Sequence, residues 1–294
     1  MGRRWAETSS AARDVMAEAD SIIGSRFGAP LSKICFDGPE AVLNRTDVAQ
    51  PALFAVGVAC FRALWPDGAP VSIGAAAGLS LGEYTALHLA GAFSFADGLE
   101  LVALRGRAMQ EAADSMPGGM VALVGADEAQ AHTVCERAAR GEVLVAANLN
   151  APGQVVISGS AAACDRAAQV ASEMGFRAAK LPVAGAFHSP LMAPAAERLK
   201  QALSGVAFST LRCPVLSNVT ARPHDAGTGA AESIRARLVD QLVRPVLWSD
   251  GCAWLARQGL GELHELAPGK VLAGLMRRID RSVKVVSHDE PVSP

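Results

Sequence analysis

Apolar residues recur at helical spacing over residues 3–24, where Ala11, Val15, Met16, Ala19, Ile22 and Ile23 share one face of a predicted amphipathic helix. A short helix is predicted over 39–45. A longer apolar one spans Val48 to Trp65 and is stopped by Pro66-Asp67-Gly68. Val71 to Ala76 then reads as a strand, Leu81 to Ala90 as a helix closed by Gly91, and Phe95 to Ala113 as another helix. Near Met116-Pro117-Gly118-Gly119 the texture changes. Strands are expected at Met120–Val124, Val143–Ala147, Val155–Ser158 and Phe176–Val183, with helices at Glu128–Ala139 and Ala161–Met174. Residues Asn148 to Gly153 read as the loop between the middle strands. Beyond them come a helix (Pro190–Leu203), a short strand (Val215–Ser217), a polar loop (222–231) and helices at Ile234–Leu242 and Trp248–Gln258. A strand at Leu263–Leu266, a helix at Val271–Ile279 and a tail after Asp280 that is loose at its end complete the pattern.

The order β-α-β-β-α-β over residues 117–183 is that of a small ferredoxin-like unit. Strands and helices alternate on either side of it, which argues for an α/β sheet core. The expected organisation is therefore an α/β-hydrolase-like parallel-sheet core, built from 1–116 and 184–294, with 117–183 as an inserted subdomain. The 294 residues are enough for that, and with half of them apolar a sizeable core is available. With 27 basic and 29 acidic residues, the chain carries neither a nucleic-acid footprint nor a polybasic membrane patch. No apolar run reaches the ~18 residues of a membrane span, and Met1 to Glu7 lacks the apolar core of a signal peptide. Six scattered cysteines without a Cys-x-x-Cys suit reduced, buried thiols in a cytoplasmic protein. The histidines give no metal-ligand spacing, so no metal is expected.

Candidate chemistry centres on Ile73 to Tyr84, where an apolar run ends in Gly78-Leu79-Ser80-Leu81-Gly82 and a helix follows. Strand–elbow–helix is the context in which Gly-x-Ser-x-Gly presents a nucleophile. Glycines at 78 and 82 would let the chain turn sharply and the helix pack close behind it. N–H groups at the helix start would stabilise negative charge on what Ser80 attacks. The plain alternative is a Gly/Ser-rich turn without chemistry. A serine nucleophile needs a base, and His188 follows the last predicted strand of the insert and directly precedes a helix. It is equally readable as a loop histidine without a task. His88 reads as a packing residue, and His132, His224, His264 and His288 as surface residues. Arg105 by itself reads as a solvated helix arginine.

Several segments together resemble malonyl-CoA:acyl-carrier-protein transacylases of type II fatty-acid synthesis and the related acyltransferase domains of polyketide synthases. They are Gln50-Pro51-Ala52-Leu53, Gly78 to Tyr84, Arg105 to Gln110, Asn148 to Gly159, Gly185 to Met192, Gln241-Leu242, Pro245 to Trp248 and Glu265 to Leu272. They occur in the family's order, from about Gly2 to Asp280. A generic esterase would share only the elbow.

The resemblance implies that Ser80 takes the malonyl group as an ester and that His188 acts as base and then as acid. It implies that the Gln241 backbone carbonyl orients the imidazole and that the Leu81 N–H serves the oxyanion. Arg105 would grip the malonyl carboxylate, as a guanidinium fork can. Phe187 would crowd an α-methyl group, and Asn148 and Asn150 would line the cleft. Malonyl-CoA and acyl carrier protein would be the partners of a cytoplasmic monomer without cofactor. The pathway would be fatty-acid biosynthesis, with polyketide synthesis as the alternative. Two departures stand out: Leu79 replaces the family's usual histidine, and the expected first strand with its Gly-Gln-Gly-Ser-Gln, which supplies a second oxyanion donor, does not precede Met1. Two rivals follow. A serine hydrolase or thioesterase would be told apart by hydrolysis against transfer. An N-terminally truncated, non-catalytic carrier-binding paralogue would be told apart by the upstream reading frame.

Overall fold

The computed structural model describes residues 1–66 and 73–291. Helices α1 (Arg3–Thr8), α2 (Ser10–Ile23), α3 (Leu31–Asp37) and α4 (Glu40–Leu43) lead into α5 (Thr46–Leu64), α6 (Gly82–Leu89) and α7 (Phe95–Ser115). Then come β1 (Gly118–Val124), α8 (Glu128–Ala139), β2 (Leu144–Ala151), β3 (Gln154–Ser160), α9 (Ala161–Glu173) and β4 (Arg177–Lys180). A 3-10 turn at Pro190–Met192 precedes α10 (Ala193–Ser204), α11 (Ala230–Asp240), α12 (Trp248–Ala256), β5 (Leu263–Leu266), α13 (Val271–Ile279) and β6 (Val285–His288).

The molecule is an α/β protein. The helix expected over 3–24 is two helices, because Ser9 is extended and its side chain accepts from the Ala12 N–H to cap α2. Of the strand expected over 71–76, Val71 and Ser72 lie outside the described residues. Among the described residues, Ala76 makes a parallel bridge to Val215, in the strand expected at Val215–Ser217. The extended parallel pairing of this part, among the described residues, is β5 with β6. The tail after Asp280, for which no strand was expected, thus supplies β6, and His264 Nδ1 lies 2.9 Å from His288 Nε2 across the pair.

The β1-α8-β2-β3-α9-β4 order is as predicted, and the strands lie antiparallel in the order β2-β3-β1-β4. The expected loop from Asn148 to Gly153 is mostly strand. Pairing runs on to Ala151 opposite Gln154, with register shifts that bulge Ala147 and Asn150. Period-2 alternation divides the sheet's faces. Val121, Leu123, Val155 and Ile157 pack on the alanine-rich faces of α8 and α9, while Met120 and Val156 form a cluster on the other side that Phe187 packs against.

A larger core gathers α2, α5, α6, α7 and α10. By length and composition α5 could cross a membrane, but 67% of its apolar window is buried inside the protein, as befits a core helix. The free edge of β2 is covered by the segment after α11, where the Val246 N–H donates to Ala147 O and the Leu149 N–H to Val246 O, each at 2.9 Å. That segment also holds Gln241, so the four-stranded sheet is tied directly to the site.

Candidate active site

Ser80 sits at the turn before α6 with φ at +52°, a conformation that costs a non-glycine residue of order 1 kcal/mol or more. Gly78 is what permits the turn. A Cβ there would lie 2.0 Å from the Gly82 carbonyl carbon and oxygen. Gly82 itself has open space where a Cβ would stand, so the expectation that both glycines are needed for close packing holds at Gly78 alone. Gly78→Ala is expected to destabilise the fold by about 1–3 kcal/mol, because backbone must move. Gly82→Ala should be neutral or stabilising by up to about 1 kcal/mol, since it lies in a helix. Thermal unfolding of the two variants checks this pair, and equal losses would refute the assignment.

Ser80 and His188, 108 residues apart, meet: Oγ lies 2.9 Å from Nε2. His188 also has a left-handed backbone, φ +56°, and its side chain is buried. Its Nδ1–H donates to the Gln241 backbone carbonyl at 2.7 Å. Gln241 caps the C-terminus of α11, where carbonyls lack intrahelical donors and the helix end is negative. The bond fixes the tautomer that leaves Nε2 free to accept the Ser80 proton. Burial, aided by the Arg105 charge, lowers His188 to about 4, with the Gln241 carbonyl pulling the other way. The imidazole is therefore neutral at pH 7, as a base must be.

Arg105 is no solvated helix arginine, being only 1% exposed. Nη2 donates to Ser80 Oγ at 3.0 Å and to Gln241 Oε1 at 2.9 Å, and Nη1 donates to Gln50 Oε1 at 2.5 Å. The guanidinium also lies 5.4 Å from the centre of the Tyr84 ring. All three acceptors are neutral, so among the described residues the buried cation has no directly bonded carboxylate.

Leu81 forms the N-cap of α6, directly after the serine. Phe187 is half-buried between the main core and the Met120–Val156 cluster. Asn148 is buried in β2, and Asn150 is at a bulge with its Oδ1 buried and unpartnered. Among the described residues, neither asparagine hydrogen-bonds to Ser80, His188 or Arg105.

A second layer of polar residues escaped the sequence reading. Asn218 Oδ1 accepts the Ser80 N–H at 2.6 Å, and its Nδ2 donates to Gly78 O at 2.8 Å. Gln241 Nε2 donates to Ser80 O at 3.0 Å. Glu83, fully buried, accepts from Gln241 Nε2 at 2.6 Å and from the Asn218 N–H at 3.1 Å. Its other oxygen meets His224 Nε2 at 2.8 Å. His224, expected at the surface, is thus buried. His88 packs as expected among Phe54, Phe93 and Phe95. The six cysteines are free and buried, with burial raising Cys35, Cys135 and Cys252 to about 12.

An elbow serine and a histidine oriented by a backbone carbonyl, with a buried guanidinium beside them, form a site suited to acyl transfer. The comparisons give the family. Residues 1–285 match the acyl transferase domain model, and the chain belongs to that family. It is 39% identical over 279 residues to the malonyl CoA-acyl carrier protein transacylase of Escherichia coli (strain K12), an alignment covering 95% of this chain and 87% of that one. The malonyl-CoA:acyl carrier protein transacylase of Xanthomonas oryzae pv. oryzae is similar in structure, with a TM-score of 0.91 and 43% identity over 99% of this chain and 90% of that one. A malonyl-transacylase solved in complex with its type II polyketide-synthase acyl-carrier protein has a TM-score of 0.91 and 36% identity, covering 99% and 92% of the two chains.

Proposed function

We propose that this chain transfers malonyl groups from malonyl-CoA to the phosphopantetheine thiol of acyl carrier protein, in fatty-acid biosynthesis, through a malonyl ester on Ser80. His188 Nε2 takes the Ser80 proton as Oγ attacks the thioester carbonyl. The Leu81 N–H donates to the resulting oxyanion. Collapse expels the CoA thiolate, which His188 protonates. In the second half the imidazole accepts the carrier thiol's proton, the sulfur attacks the ester, and the proton returns to Ser80 Oγ.

Arg105 carries the substrate assignment: a buried cation, bonded among the described residues to neutral oxygens alone, 3.0 Å from the nucleophile. Malonyl bears a carboxylate close to its thioester carbonyl; acetyl does not. Glu83 acts on the guanidinium only from a distance, and a substrate carboxylate would supply a directly bonded counter-charge through two parallel hydrogen bonds. Phe187 would disfavour an α-methyl group, and Asn148 and Asn150 would line the cleft by their place on β2. The relative that binds a carrier protein supports the acceptor.

This reading includes a division into a hydrolase-like core (1–116 and 184–294) and a ferredoxin-like insert (117–183). It also includes a cytoplasmic, monomeric enzyme that uses the CoA thioester as substrate and needs no cofactor. The test is kcat/KM for malonyl-CoA and acetyl-CoA in wild type, Arg105→Ala and Arg105→Lys. Alanine should lower malonyl transfer by about 10²-fold or more and narrow the malonyl preference. Lysine should rescue only partly, since it has no fork. A ratio unchanged across all three would remove the assignment's support.

A further inference from the structure

The three backbone polar groups at the strained turn, Gly78 O, Ser80 N–H and Ser80 O, are held by two side chains, Asn218 and Gln241. Both rest on one oxygen of Glu83, through the Gln241 amide and the Asn218 backbone N–H. The other oxygen rests on His224. Gln241 is also the residue whose carbonyl orients His188 and whose side-chain oxygen accepts from Arg105. Nucleophile, base and cation are therefore all fixed within two hydrogen bonds of Glu83, although its carboxylate is bonded to none of them.

We infer that Glu83, braced by His224, is a positioning residue for acyl transfer: it locks Gln241 and Asn218 so that the strained Ser80 and the His188 imidazole stay aligned. The chemistry of the contacts makes this specific. Three donors converge on Glu83, which must accept at both oxygens. Glu83→Gln keeps the size of the side chain but turns one acceptor into an NH₂ donor. With its NH₂ toward Gln241 and Asn218 the amide opposes two donors, and with its NH₂ toward His224 it forces Nε2 to accept, which moves the imidazole proton to Nδ1, a buried nitrogen with no partner among the described residues. An unpaired polar group buried at this depth is costly. The Gln241 amide is then free to turn away, and the backbone of Ser80 and the carbonyl behind His188 lose their register. Misplacement of about 1 Å between reacting groups is enough to cost about 10²-fold in rate. Because the serine–histidine unit is affected rather than the carboxylate grip, malonyl and acetyl transfer should fall together, unlike the effect of Arg105→Ala.

This inference rests on the acyl-transfer reading of Ser80 and His188, but not on malonyl as the acyl group. The experiment therefore uses a fluorophosphonate probe that reacts with an activated serine, alongside the two-substrate assay. Rates are taken per folded protein, with melting temperatures measured separately. Glu83→Gln should slow phosphonylation of Ser80 and lower kcat for both acyl-CoAs by about 10²-fold, with KM and the malonyl-to-acetyl ratio unchanged. His224→Ala, which strips Glu83 of one donor, should slow both reactions. His224→Gln, which returns an N–H donor, should recover most of that loss. A purely structural pair would lower melting temperature and leave these rates alone. Folded Glu83→Gln reacting with the probe at the wild-type rate would overturn the proposal. If Glu83→Gln does not fold, the His224 pair decides: equal rates for the alanine and glutamine variants would overturn it equally.

Discussion

Ser80→Ala should abolish covalent labelling of the protein by radiolabelled malonyl-CoA and lower transfer to the carrier protein by about 10⁶-fold, the scale seen when the nucleophile of a serine–histidine unit is removed. The reason lies in the geometry. Ser80 Oγ is the atom that both His188 Nε2, at 2.9 Å, and Arg105 Nη2, at 3.0 Å, address. Removing it leaves neither a proton for the base nor an atom to carry the acyl group. The substitution is also close to silent in structure. Alanine keeps the Cβ, so the backbone strain at φ +52° is unaltered, and the main-chain bonds from Ser80 to Asn218 and Gln241 remain. Arg105 retains its contacts with Gln50 and Gln241. Stability should change by no more than about 1 kcal/mol, so loss of label would report chemistry rather than unfolding. Label retained on the alanine variant, located by peptide mapping, would move the nucleophile elsewhere.

Local rules made part of this protein legible in its sequence. The helix over Glu128–Ala139 begins at an Asp127/Gln130 capping box, and such a stop–start signal is written within four residues. The elbow is equally local, because Gly-x-Ser-x-Gly sits between an apolar run and a helix. Where short-range pattern competes with tertiary pairing, the reading failed. Asn148 and Asn150 look like loop residues, yet β2 runs through them because the edge is needed to pair with Val246. The tail after Asp280 has few apolar residues, and its strand forms because β5 offers a parallel partner.

The site was legible only in part, for a different reason. Ser80, His188 and Gln241 come together across 53 to 161 residues of sequence, and no spacing rule connects them. The family pattern brought them together; periodicity did not. Glu83 illustrates the limit. An acidic residue in the first turn of a helix satisfies the macrodipole preference by itself, and nothing local marks it as buried. His224 stands between Pro223 and Asp225 before a glycine-rich loop, which reads as surface. Its burial follows from a bridge between Leu216 and Pro223 that folds the loop back on the elbow. Arg105 lies on a helix with an arginine two residues further on, and only the packing shows that one is in the core and the other in water.

His188→Ala should lower both half-reactions by at least about 10³-fold, within the range for loss of a positioned general base and more where it also serves as acid. The loss should be similar for formation of the acyl-enzyme and for its transfer to the carrier thiol, because one imidazole handles the proton in each. The wild-type pH profile gives an independent check. Catalysis needs the imidazole neutral, and burial beside Arg105 holds it at about 4 rather than the ordinary 6.5. Activity should persist well below pH 6.5, with the acid limb of kcat/KM falling near pH 4 to 5. Arg105→Ala removes one of the two causes of the shift, so the acid limb of acetyl transfer in that variant should move upward. The same shift sets a stability trend. The folded form binds a proton at this site less readily than the unfolded chain, so stability from the neutral imidazole is complete above about pH 6.5 and declines as pH falls toward 4. In His188→Ala that contribution to the slope should vanish, measurable as a flatter dependence of unfolding free energy on pH between 4 and 6.5. An acid limb at 6.5 in the wild type, with no displacement in Arg105→Ala, would mean that His188 is solvated and unaffected by the cation, and the geometry proposed for the base would fail.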